Sequence, residues 1–119
     1  MERSKKMSFS KVLSAAVKGM DIEFVYVEAD VSNGLPVFNM VGYLSSEVKE
    51  AGERVRTAVR NSGLDFPAKR VVINLSPATL KKRGASFDLP IALAVLAALG
   101  QIPAERLRGS LAIGELGLD

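Results

Sequence analysis

The residues that do most enzyme chemistry are absent from this chain. It has no His and no Cys, which removes Ser-His-Asp and Cys-His catalysis, disulfides and thiolate or imidazole zinc sites. What remains is a set of cations. Residues 54–83 hold eight basic side chains, Arg54, Arg56, Arg60, Lys69, Arg70, Lys81, Lys82 and Arg83, against one acid, Asp65. The rest of the chain is net negative, because the whole carries only +3. Such a cluster suits salt-sensitive contact with a phosphate backbone, and it also reads as a solvated or interdomain face. Phe66 is the one aromatic in that span, so base stacking finds no support there.

Two further patterns invite chemistry and fail on inspection. The run GSLAIGEL (109–116) has the glycine spacing of a phosphate loop, but Glu115 stands where such a loop needs Lys. A carboxylate there repels nucleotide, so the run reads as a strand with glycine edges. Glu23, Glu28 and Asp30 alternate with apolar residues or close a strand, without the spacing of a calcium loop or a carboxylate pair. Asp88, ahead of an apolar run, reads as a helix cap.

The elements that must position these residues follow from periodicity. At 119 residues, 48% apolar and 24% charged, the chain has the make-up of one globular domain with its own core. Residues 1–6 are polar and read as a disordered leader, with Met7 as a candidate start and 7–119 as the domain. Phe9 to Val17 and Ile22 to Val31 suit strands, with Phe24 and Tyr26 on one side and Val25, Val27, Ala29 and Val31 on the other. Asn33-Gly34 predicts a hairpin turn into a strand from Leu35 to Val41. Ser45 or Ser46 should cap a helix in which Val48, Ala51, Val55, Ala58 and Val59 recur at helical spacing, ending near Gly63. Residues 69–75 read as a strand and 77–80 as a turn or short helix. A helix should follow, with Pro90 in its first turn and Gly100 at its end. It is apolar all round, so it belongs inside. Leu111 to Leu116 reads as a last strand.

The chain should not cross a membrane. The most hydrophobic stretch, Leu89 to Leu99, would span roughly 16 Å as a helix against ~30 Å for a bilayer core. Lys11 and Lys18 interrupt the early apolar stretch, which argues against a signal peptide, and the expected location is the cytoplasm.

Several blocks together resemble one family. GLPVFNMVG (34–42), ERVRTAVRNSGLDFP (53–67), VVINLSPATLKKRG (71–84), FDLPIALAVLAALG (87–100) and GELGLD (114–119) are similar to the amino-terminal region of magnesium-chelatase-like proteins of the ComM/YifB type. The resemblance runs from about Phe9 to Asp119. It implies an α+β, Lon-protease-domain-like fold of the ribosomal protein domain-2-like superfamily, with a mixed sheet, two main helices and a truncated C-terminal end. It further implies a parent AAA+ ATPase using ATP and magnesium, a homo-hexamer acting on DNA in recombination and natural transformation. This chain's partner would be its own downstream AAA+ domain, with DNA as a further contact. No cofactor or metal is expected in the chain itself, and no enzyme activity.

The same resemblance raises two alternatives. One is magnesium insertion as a chelatase subunit. The other is a Ser-Lys peptidase, because Lys82-Arg83-Gly84-Ala85-Ser86-Phe87-Asp88 falls on the Lon nucleophile loop and puts Ser86 at the nucleophile position. Phe87 and Asp88 replace the small residues expected after that serine, and the matching lysine would lie beyond Asp119.

Overall fold

The computed structural model describes residues 8–117; the leader expected over 1–6 and Met7 lie outside them. Strands β1 (Ser8–Lys18) and β2 (Asp21–Ser32) form an antiparallel hairpin with Lys18 opposite Asp21. Strand β3 (Val37–Gly42) leads into a short helix α1 (Ser46–Lys49) and then α2 (Ala51–Asn61). Strand β4 (Arg70–Ser76), helix α3 (Asp88–Ala98) and a 3-10 turn (Ala104–Leu107) complete the elements. The class is α+β with a mixed sheet, as expected. The short α1 is set off from α2 at Glu50, where the sequence reading had one helix.

The sheet order is β1-β2-β4-β3, with β2 antiparallel and β3 parallel to β4. This corrects the expected Asn33-Gly34 hairpin. The chain does reverse there, but β4 inserts between β2 and β3, so the two strands flanking the turn never pair. Turn chemistry specifies a reversal; only the long-range pairing of Val31 with Val71 specifies which strand fills the gap.

Alternation decides the faces. Val25, Val27, Ala29 and Val31 are buried, while Phe24 and Tyr26 stay exposed on the other side, as their spacing predicts. Val71, Ile73 and Leu75 continue the inner face, and α3 packs across β1 and β2 with α2 beside it. Ser45 caps α1, its hydroxyl accepting the Val48 N–H. Both long helices stop at glycine. Gly63 and Gly100 take φ of 80° and 77°, and the residues after them donate back to Val59 O and Leu96 O. This is the left-handed closure that a Cβ would penalise.

Two local expectations need correction. Asp88 is not the cap of α3: Phe87 holds that position, and the Asp88 side chain makes no capping bond. Residues 111–116 are not a full strand. They form an extended arm joined to β1 by a single parallel bridge, Leu13 with Leu111, and by the Ala112 N–H to Leu13 O. Among the described residues, no helix is long and apolar enough to cross a membrane.

Candidate functional site

The fold does not gather the eight cations onto one surface. Lys69 and Arg70 sit at the start of β4, whereas Lys81, Lys82 and Arg83 follow its end. The seven-residue strand between them separates the groups by roughly 20 Å. Lys69 donates to Asn33 Oδ1 at 2.9 Å. Arg56 lies over the stacked Phe38 and Phe66 rings, 5.8 Å from each centroid, and reaches Glu53 at 3.3 Å. Arg60 and Arg70 are exposed.

Arg54 and Lys82 have internal work instead. Arg54 holds Asp88 through two bonds, Nε to Oδ2 at 2.8 Å and Nη2 to Oδ1 at 3.0 Å, and Nη2 also donates to Glu47 O. The Asp88 side chain is 1% exposed, so this pair compensates a carboxylate that burial would otherwise penalise. The hydrogen bond to Asp88 raises the Arg54 pKa further above its already high ordinary value. Asp88 is thus a buried tie between α2 and α3.

Lys82 is fully buried, its ammonium donating to Pro77 O and Leu80 O. Desolvation lowers its pKa below the ordinary lysine value. Its backbone is fixed as well: Lys82 N–H donates to Tyr43 O, and Ser45 N–H donates to Lys82 O, both at 2.9 Å. The extended bridge this makes with Leu44 turns alternate side chains to opposite sides. Lys82 therefore points inward, Arg83 is exposed and Lys81 lies 5.7 Å over the Tyr43 ring.

What this loop borders is an open cleft of about 580 Å³. Lys81, Arg83 and Ser86 line it from the loop, Lys18 from the end of β1, and Tyr43 from the turn after β3. Val17, Leu80 and Ile113 supply apolar wall. No Asp or Glu is among its described lining residues. Ser86 is held from behind, its carbonyl accepting the Gly114 N–H at 2.9 Å while Gly114 O accepts from Leu89 N–H. The arm that carries Glu115 thus closes one side of the cleft instead of forming a nucleotide loop.

Lys18 and Tyr43 lie outside the basic stretch read from the sequence. The hairpin could have placed Lys18 at a turn, but bringing that turn next to the end of β4 requires the β2–β4 pairing, Tyr26 with Ser76. Tyr43 also supplies, from elsewhere in the chain, an aromatic that the 54–83 window lacks. Glu23, Glu28 and Asp30 lie along β2, and no cluster of three or more potential metal ligands occurs among the described residues. Glu28 accepts instead from Asn74 Nδ2 and lies 4.0 Å from Lys11.

The family described as subunit ChlI of Mg-chelatase matches residues 27–119, and the chain belongs to that family. It is 47% identical over 112 residues to the uncharacterized protein YifB of Salmonella typhimurium, covering 94% of this chain and 22% of that protein. Competence protein ComM of Haemophilus influenzae is 45% identical over 112 residues, with the same 94% and 22% coverage. Protein Rv2897c of Mycobacterium tuberculosis is 44% identical over 113 residues, 95% of this chain and 22% of its own length. The chain therefore spans about a fifth of the length of these relatives.

Proposed function

We propose that this chain is a non-catalytic, Lon-protease-domain-like accessory module of a magnesium-chelatase-like AAA+ ATPase. The module helps such a motor assemble or engage DNA. The observation that carries the reading is the acid-free cleft, where Lys18, Lys81 and Arg83 share one concave surface. Low-dielectric walls around like charges focus potential toward an anionic partner. ATP, magnesium and a homo-hexamer belong to the parent protein in this reading, as does work in recombination and transformation. The likeness to Competence protein ComM supports it. The relatives' greater length leaves room for a downstream ATPase domain, so the downstream reading frame should encode a phosphate-loop motif ending in Lys-Ser or Lys-Thr.

The direct test is fluorescence anisotropy with labelled single-stranded, duplex and forked DNA at low and moderate salt. Salt-sensitive binding that weakens when Lys81 and Arg83 are changed to Ala is the expected result. No binding at low salt would move the DNA contact to the rest of the parent protein and leave this cleft as an assembly surface.

One observation favours a second reading, peptidase action by Ser86: Ser86 shares the cleft with Lys18 and Lys81. In a Ser-Lys pair the serine needs a neutral lysine amine within hydrogen-bond reach to take its proton. The lysine whose pKa burial lowers, Lys82, instead spends its ammonium on Pro77 O and Leu80 O. Hydrolysis of an unfolded protein that disappears in Ser86→Ala would establish the peptidase; equal rates in both would remove it. Magnesium insertion has the family description alone behind it.

A further inference from the structure

We infer that the cleft between the β1–β2 hairpin and the 77–86 loop is a seat for a phosphate ester. The phosphate would lie among Lys18, Lys81, Arg83 and the Ser86 hydroxyl, and the organic body against the apolar wall. The inference goes beyond the accessory role, because a free nucleotide would satisfy it as well as one unit of a strand would. It requires no motor.

The donor set points to this ligand class. Three cations reach the cleft from two stretches far apart in the chain, and among the described residues neither Lys18 nor Arg83 has an ion-pair partner. Cations that line one concave surface without a carboxylate among them attract an anion. Ser86 adds a neutral donor whose hydroxyl has no hydrogen-bond partner among the described residues, and the Ser86 backbone is fixed by Gly114. A carboxylate carries one charge and presents its acceptor sites in a single plane. A phosphate offers a tetrahedral set and more charge.

The cavity also exceeds what inorganic phosphate fills. At about 580 Å³ it lies in the range of small-molecule sites. Val17, Leu80, Ile113 and the half-exposed Tyr43 ring offer surface only to an ester's organic part. The α3 N-terminus does not carry the site. Its Asp88 N–H is taken by Ala85 O and its Leu89 N–H by Gly114 O. The Asp88 carboxylate, which would repel an anion, is neutralised by Arg54. Selectivity therefore rests on side chains, and Lys82 acts by holding the loop that presents two of them.

The test is a backbone-amide NMR titration of the 119-residue chain with three probes: inorganic phosphate, adenosine monophosphate and a short single-stranded oligonucleotide. Adenosine monophosphate should perturb residues 81–86, Val17 and Ile113, and bind more tightly than inorganic phosphate. Lys18→Ser and Arg83→Ser should each weaken it roughly fivefold, and Arg60→Ser, an exposed cation outside the cleft, should not. Equal losses in all three variants would show diffuse charge attraction and overturn the inference. So would silence of the cleft amides with every probe, or adenosine monophosphate binding no tighter than phosphate. Oligonucleotide binding that leaves the cleft silent would overturn the seat and spare the DNA reading. Mononucleotide binding in the cleft without oligonucleotide binding would do the reverse.

Discussion

Buried polar residues carry individual consequences that apolar patterning does not show. Ser10 and Ser14 are both buried on the inner face of β1; Ser10 donates to Ala94 O, whereas the Ser14 hydroxyl has no partner among the described residues. A buried hydroxyl without a partner forfeits its hydration for nothing. Ser14→Ala should therefore raise stability by about 1 kcal/mol, and Ser10→Ala should lower it by about the same amount, in urea unfolding. A loss at Ser14 would show that its hydroxyl is satisfied. Lys82 is the second case, and its effect has a sign that pH reveals. Its folded pKa lies below the usual 10.5, so between the two values the unfolded chain holds a proton that the folded chain has released. Unfolding then takes up a proton, and stability rises with pH across that window; below the folded pKa both states are charged and the desolvation cost stands in full. Compared with Lys82→Met, the wild-type chain should gain stability as pH climbs toward 10.5, and a parallel pH profile for the two would contradict the lowered pKa. Neither feature was legible beforehand. Lys82 reads as one more cation in a basic run until the Leu44–Lys82 bridge turns it inward.

At the scale of elements, local pattern proved sufficient for identity and insufficient for pairing. The alternation Val25, Val27, Ala29, Val31, the 45–63 helical stripe, Pro90 and Gly100 all predicted elements that the fold contains, because each depends on residues within a turn or two. The Asn33-Gly34 hairpin failed because its outcome depends on β4, nearly forty residues away by sequence. Asp88 failed for a related reason: a capping role is local, but the actual partner, Arg54, comes from α2, 34 residues earlier. That pair fixes the two long helices against one another, with Arg54 also bonded to the α1 carbonyl of Glu47. Arg54→Met would leave the Asp88 carboxyl buried without its partner, and should cost about 3 kcal/mol in chemical denaturation. Adding Asp88→Leu should recover most of that loss, since removing both charges removes the desolvation cost. If the double variant is as unstable as the single, the pair stabilises by packing and not by charge compensation.

The whole molecule places its candidate site where four separate stretches converge: the β1 end, the turn after β3, the loop after β4 and the carboxy-terminal arm. Only the loop was marked in advance, by Lys81, Arg83 and Ser86. Lys18, Tyr43 and Ile113 become neighbours through sheet order, which no local spacing encodes. The arm is the member held least by regular structure. Its described attachments are the Leu13–Leu111 bridge, the Ala112 bond to Leu13 O and the Gly114 bonds to Ser86 and Leu89. At Gly114 a Cβ would come within 3.1 Å of Leu89 Cδ2 and 3.2 Å of its Cβ, so Leu89 of α3 would have to give by a few tenths of an ångström. A valine adds branches to that crowded contact and should push the arm off. Gly114→Val should therefore release the amides of Leu89, Ala112 and Gly114 to faster hydrogen exchange while those of β2 and β4 keep their protection, because the sheet interior does not depend on the arm. The same substitution should remove the Ile113 wall and weaken phosphate-ester binding without altering any charge. Exchange that accelerates throughout the sheet would instead make the arm part of the folding core.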